Sequence, residues 1–281
     1  MKICRYGETG SEKPGIFDEN FQLYDLSEIV DDITPDTLPK VLAYLKAKVD
    51  LQTLPKVTGN PRIGAPLKTV SKFVAIGLNY LDHAKEANLP VPDEPVIFFK
   101  APSCINGPDD TIIVPPHSTK LDWEAELGIV IGQTTKQVTP EEAMRHIAGY
   151  CIVNDVSDRG FQFQSSQWDK AKSCDTFGPI GPYIVTCDEI EDPQSLSIWL
   201  EVNGEKRQDS HTSQMIFSVA EIVSYVSHYM TLYPGDLIAT GTPAGVGLGM
   251  QPEPVWLKDG DTIRIHIEKL GYQNQRVKRQ R

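Results

Sequence analysis

Glu124 and Glu126 stand two residues apart in the run Asp122-Trp-Glu-Ala-Glu-Leu-Gly-Ile-Val-Ile131. In a strand, that spacing sends both carboxylates out of one face. Like charges side by side on a half-buried strand are costly unless a cation offsets them. Such a pair more often marks a solvated acidic face, since glutamate is mostly exposed. The apolar residues from Leu127 to Ile131 point instead to a strand entering the core. A third carboxylate, Asp155, closes the run Tyr150-Cys-Ile-Val-Asn-Asp, where it either presents a ligand from a rigid strand end or caps backbone amides. Three carboxylates without a thiolate suit a hard cation such as Mg2+, with water or substrate oxygens completing the octahedron.

Upstream lies Gly77-Leu-Asn-Tyr-Leu-Asp-His-Ala-Lys-Glu86. If the chain is helical from Tyr80 onward, His83 and Glu86 are at i and i+3 and touch. A carboxylate beside an imidazole fixes its tautomer and raises its basicity, as a water-activating general base requires. The alternative is a surface helix with incidental charges. The Pro-rich residues 88–95 cannot stay helical and read as a flap. Lys172 lies in a stretch, 168–182, too rich in Gly and Pro for an interior element, where it would meet an anionic substrate or simply solvent. Thr240-Gly-Thr-Pro-Ala-Gly-Val-Gly247 follows a strand and offers backbone N–H groups as an anion cradle. It is not a dinucleotide fingerprint, because Pro243 interrupts it and no helix with an acidic ribose partner follows.

These residues must be held by a strand-rich scaffold. Short β-type runs fall at 73–76, 96–99, 111–114, 124–131, 150–153, 180–185, 197–202, 236–240 and 262–267, the last alternating cleanly. Only two helices interrupt them. Both open on capping boxes, at Thr139-Pro-Glu-Glu142 and Ser218-x-x-Glu221. Before them, residues 1 to about 55 read as a strand at 2–6, a hairpin turned at 18–20, and a helix carrying Leu38, Val41, Leu42 and Leu45. The Pro- and Gly-rich residues 55–69 look like a linker, so we expect a small N-terminal unit over 1–65 and a second domain over 66–281. The basic tail 273–281 reads as a frayed, solvated end.

Composition narrows the class. The 281 residues carry 27 Lys+Arg against 38 Asp+Glu, a formal charge of −11 that repels polyanions, so no nucleic-acid partner is expected. No apolar run approaches the ~20 residues of a membrane span, and the first residues lack a signal-peptide core. Five unpaired-looking cysteines argue against a disulfide framework or a thiolate zinc site. The expectation is a soluble protein of the cytoplasm with no membrane partner.

Taken together and in order, Gly77-Leu-Asn-Tyr80 with His83 and Glu86, Glu124-Ala-Glu126-Leu-Gly, Asn154-Asp155-Val-Ser and Thr240-Gly-Thr-Pro243 resemble the fumarylacetoacetate hydrolase family across almost everything after residue 70. The resemblance implies a mainly β (α+β) fold, a distorted barrel of mixed sheets with few helices, behind a small N-terminal α/β domain. It implies that Glu124, Glu126 and Asp155 bind Mg2+ or Mn2+. It makes His83 and Glu86 the water-activating dyad on a lid helix, and Lys172 the cation that neutralises developing negative charge. Arg159, Gln162 and Thr242 fall where the family contacts substrate, although Asp158-Arg159-Gly160 departs from the family's usual neighbours of that arginine. The implied activity is C–C hydrolysis of a 2,4-dioxo acid to pyruvate and a second acid, by a homodimer. The stretches 167–182 and 215–217 resemble the branch acting on 2,4-diketo-3-deoxy sugar acids, whose members are also called ureidoglycolate lyase. Oxaloacetate decarboxylase, isomerase and ureidoglycolate lyase chemistry at the same site, or a non-catalytic relative, are the alternatives.

Overall fold

The computed structural model describes residues 1–47 and 50–280. In chain order its strands begin with β1 (Lys2–Tyr6), β2 (Lys13–Phe17), β3 (Leu23–Asp25), β4 (Ile63–Gly64), β5 (Phe73–Gly77) and β6 (Val96–Lys100). Next come β7 (Ile105–Asn106), β8 (Ile112–Val114), β9 (Leu121–Asp122), β10 (Ala125–Ile131), β11 (Ile147–Asn154) and β12 (Ser157–Asp158). The last are β13 (Gly178–Thr186), β14 (Ser197–Val202), β15 (Glu205–His211), β16 (Leu237–Ala239), β17 (Thr262–Ile267) and β18 (Gly271–Arg279). The α-helices are α1 (Leu38–Lys46), α2 (Leu81–Glu86), α3 (Pro140–Ala143), α4 (Arg159–Gln162), α5 (Asp169–Lys172) and α6 (Val219–Tyr229). Among the described residues no helix is long and apolar enough to cross a membrane.

The large sheet has eleven strands, ordered β3-β2-β1-β13-β11-β10-β16-β5-β6, with β4 on β1 and β7 on β13. A second sheet runs β15-β14-β17-β18-β8, and β9 pairs with β12. Pairing is mostly antiparallel, but β16–β5, β13–β7 and β18–β8 are parallel, so the sheets are mixed as expected. The strands do not close into a barrel among the described residues; both sheet orders end in free edges.

Strands β10 and β11 are buried along their whole length, the signature of strands covered on both faces. Their register pairs Ala125 with Asn154, which brings Glu124 and Asp155 together at one end of the pair. The Asp155 N–H donates to the Glu124 carbonyl at 2.9 Å and locks that approach. Both capping boxes form, at Thr139 and Ser218. Helix α6 turns Val219, Ile222, Val223 and Val226 inward.

Two sequence expectations are corrected. The C-terminal tail is not frayed. Residues Gly271–Arg279 form β18, paired along β17 and against β8, with Gln273, Gln275 and Val277 buried. The period of two is there, but two of its three buried positions are glutamines, so no apolar alternation announces it. The glutamines are satisfied internally: Gln273 donates to the Ile152 and Gly181 carbonyls, and Gln275 to Pro108 and Gln273. The second correction concerns 168–182, whose end is interior. Gly178–Pro182 begins β13, a nearly fully buried strand inside the large sheet. Glycine is what the packing demands there, since a Cβ at Gly178 would press on Cys104 and Phe73.

Residues 1–65 add to the large sheet through β1, which pairs with β13. Arg62 also reaches across, from Glu12 at 3.0 Å to Asp110 at 2.8 Å.

Candidate active site

The three sequence-predicted carboxylates meet. Ligand oxygens of Glu124, Glu126 and Asp155 lie within 4.8 Å of one another, and all three residues are buried. Glu124 and Glu126 enter from the start of β10, and Asp155 from the residue after β11. Beside Glu124 and Glu126 lies a small cavity, about 60 Å3, lined by His83, Glu124, Glu126, Arg159, Gln162, Lys172 and Thr242 with an apolar wall that includes Phe98 and Trp168. A larger cavity of about 620 Å3 lies beside α1, but its lining is dominated by groups such as Leu42, Leu45, Met144 and Ile147 and gathers no carboxylate cluster. The chemistry belongs to the smaller one.

Cations reach two of the three acids. Lys172 Nζ donates to Glu124 Oε2 at 2.6 Å and to Asp155 Oδ2 at 2.7 Å. Arg159 donates to the other Glu124 oxygen at 2.5 Å, to Asp122 at 2.8 Å, and to Gln162 Oε1 at 3.0 Å. Burial alone would push the Glu124 carboxyl up, but Lys172 and Arg159 outweigh it and hold it down at about 2. Burial also works against the Lys172 ammonium, and Asp155 and Glu124 overcome it, so Lys172 is raised and stays charged.

Glu126 is different. Its Oε2 accepts the Gly241 N–H at 2.7 Å, and among the described residues no lysine or arginine pairs with it. Burial, then Asp155 and Glu124, push its carboxyl well above the usual range. The cluster therefore carries one more buried carboxylate than its own cations offset. An all-oxygen donor set of this kind fits a hard divalent ion such as Mg2+ or Mn2+, which would be held by Glu124, Glu126 and Asp155.

His83 and Glu86 touch as the i,i+3 spacing predicts: His83 Nδ1 lies 3.0 Å from Glu86 Oε2 on α2. Glu86 Oε1 accepts the Gly245 N–H at 2.9 Å. On the same helix Asp82 accepts Ser210 Oγ at 2.6 Å. The Gly-rich turn after β16 is thus a cradle whose anions are the protein's own acids. Gly241 binds Glu126, Gly245 binds Glu86, and Gly247 donates to Asp122 at 2.6 Å. Gly241 and Gly245 have φ of +98° and +102°, and a Cβ at Gly245 would run into the Arg207 carbonyl oxygen.

Thr242 lines the cavity, but its hydroxyl is engaged. It donates to the Ala125 carbonyl at 2.9 Å and accepts Gln208 Nε2 at 2.8 Å. Gln208 also accepts the Ala125 N–H at 2.9 Å, so a closed ring of bonds grips the backbone between the two glutamates.

Four contributors escape the sequence reading. Lys100 is a buried ammonium bonded to Asp155 Oδ1 at 2.6 Å. Its signal, a lysine ending the apolar run Val96–Phe99, is faint because terminal lysines are usually solvated. Asp122 anchors Arg159 and three backbone amides, of Trp123, Gly247 and Leu248. Gln208 lies in a strand with no apolar pattern. Gln275 of β18 accepts Asn154 Nδ2, and Asn154 in turn accepts the Glu124 N–H.

A family model described as fumarylacetoacetate (FAA) hydrolase C-terminal matches residues 72–278. The chain belongs to the fumarylacetoacetate hydrolase family. A 2,4-didehydro-3-deoxy-L-rhamnonate hydrolase of Sphingomonas sp. (strain SKA58) is 52% identical over 278 residues, covering 99% of this chain and 96% of the relative. The solved fumarylacetoacetate hydrolase of Exiguobacterium antarcticum superposes with a TM-score of 0.87 at 40% identity, covering 100% of both chains. The maleylpyruvate hydrolase of Sphingobium sp. SYK-6, solved with manganese(II) and pyruvate, has a TM-score of 0.84 at 27% identity, again over 100% of both chains.

Proposed function

We propose that this protein is a Mg2+- or Mn2+-dependent hydrolase that cleaves a C–C bond in a 2,4-dioxo acid, an acylpyruvate or a 2,4-diketo-3-deoxy sugar acid, to give pyruvate and a second acid. One observation carries the reading: Glu124 and Glu126 of a buried carboxylate triad, the buried Lys172 ammonium and His83 of a His–Glu dyad line the same cavity. The names of the rhamnonate-derivative and maleylpyruvate hydrolases support the substrate class.

When bound at the triad, the metal ion supplies Lewis-acid polarisation of the substrate's oxygens. The chain's own groups do the rest. With Nδ1 engaged by Glu86, His83 keeps Nε2 to take a proton from water, whose oxygen adds to the distal carbonyl. The bond between that carbon and the methylene then breaks, and its electron pair becomes the enolate of pyruvate. Lys172 donates to the enolate oxygen, where charge develops in the transition state. The proton held by His83 returns to the methylene carbon. Arg159 spends three N–H groups on Asp122, Glu124 and Gln162, and has two left for a substrate carboxylate. Phe98 and Trp168, packed edge-on at 5.4 Å, shield the cavity from water.

The test is incubation of the metal-loaded enzyme with acylpyruvates, diketo sugar acids, oxaloacetate and ureidoglycolate. Pyruvate plus an acid from a dioxo acid supports the proposal. Carbon dioxide from oxaloacetate alone, or glyoxylate from ureidoglycolate alone, contradicts it.

A further inference from the structure

Lys100 ends β6 with a side chain that has no solvent exposure. It is absent from the cavity lining, so it does not face a substrate. Its ammonium has three donors and three acceptors: Asp155 Oδ1 at 2.6 Å, the Val156 carbonyl at 3.4 Å, and the Lys172 carbonyl in close contact. The Phe73 ring lies 5.9 Å from the nitrogen. An ammonium so enclosed persists only because all its donors are used.

The consequence falls on Asp155. With Oδ1 accepting from Lys100 and Oδ2 from Lys172, the carboxylate is held at both oxygens and cannot swing. The same nitrogen ties down the backbone of Lys172, whose side chain returns to Glu124 and Asp155. Resting on the metal-dependent reading above, we propose that Lys100 is a positioning residue: it holds Asp155 in the one orientation in which the triad binds a divalent ion. Its charge alone would act in the opposite direction, since an ammonium near the triad repels a dication. Orientation and charge therefore predict opposite effects of removing it.

The test uses metal-stripped full-length protein, with Lys100→Met and Lys100→Gln, titrated with Mn2+ and followed by the electron paramagnetic resonance of free Mn2+. Circular dichroism checks the fold. Lys100→Met is expected to weaken Mn2+ binding 10–100-fold, the range typical of groups that orient metal ligands. Lys100→Gln, which keeps two donors, is expected to lose less. Raising Mn2+ should restore most of the lost turnover in both, which a general packing defect would not allow. A folded Lys100→Met that binds Mn2+ within threefold of wild type, or more tightly, overturns the proposal while leaving the metal reading intact. Wild-type protein that binds no Mn2+ overturns the metal reading, and the proposal with it. If neither variant folds, the wild-type ammonium is observed directly by 15N NMR. A slowly exchanging Lys100 resonance that persists on Mg2+ addition supports the proposal, and its loss on Mg2+ addition overturns it.

Discussion

Glu124 and Glu126 are the same side chain two residues apart, and the fold drives their acidities in opposite directions. Glu124 lies between two cations, while Glu126 has only a backbone amide. Metal binding at the triad requires Glu126 to lose its proton, so affinity should rise with pH through the elevated Glu126 value. Calorimetry in buffers of different ionisation enthalpy should find protons released as the ion binds; no release would contradict this. Glu124 follows the reverse sign. Its folded value, about 2, is below the ordinary 4.5, so it contributes stability above 4.5 that is lost as pH falls through about 2. Substituting Glu126→Gln should leave the metal-free fold at least as stable at neutral pH, because burial beside Asp155 and Glu124 disfavours the ionised carboxylate and a neutral amide removes that cost. The same variant should lose all thermal stabilisation by Mg2+. For the proposed base, His83→Ala should lower turnover 10²–10⁴-fold with Mn2+ affinity unchanged. The triad and the dyad were proposed from residue types and spacing, whereas Lys172 was singled out only through the family resemblance. Lys100 and Gln208 were not legible, because each serves through a contact distant in sequence.

At the scale of elements, both α2 and β18 hold the site. Helix α2 is fastened by Asp82 to Ser210 and by Glu86 to Gly245. It closes over a cavity of about 60 Å3, too small for a whole sugar acid, so substrate entry should require α2 to lift. Ser210→Ala should weaken closure and reduce kcat/KM roughly 10–100-fold, the worth of one hydrogen bond to a charged group; steady-state kinetics would show it. Strand β18 braces Glu124 through Gln275 and Asn154. Val277→Asp, which buries a lone carboxylate between β17 and β8, should destabilise the protein by about 3 kcal/mol or more, read by denaturant unfolding. The strands at 2–6, 197–202 and 262–267 were legible to the residue, because apolar side chains mark their buried faces. Strands β15 and β18 were hidden because their buried positions are largely glutamines, whose place is set by hydrogen bonds rather than hydrophobicity.

For the whole molecule, the mostly β fold followed from the density of strand signals and its mixed sheets from the family resemblance, whereas the sheet order rests on contacts the sequence does not display. Our proposed division at residue 65 marks a unit joined to the second by sheet pairing through β1. A homodimer remains our proposal, and light scattering would give its stoichiometry. The formal charge of −11 describes the surface. Once Glu126 ionises, as metal binding requires, Glu124, Glu126, Asp155 and Asp122 face Lys100, Lys172 and Arg159, so four negative charges meet three positive ones. A bound dication would turn that balance positive and let an anionic substrate enter an acidic protein. The most direct measurement is pyruvate formation from a 2,4-dioxo acid by the Mn2+-loaded enzyme, repeated after chelation. Pyruvate is expected with one equivalent of a second acid, its formation abolished by chelation and restored by Mn2+. Pyruvate release that survives complete chelation, or none from any dioxo acid with metal bound, would contradict this expectation.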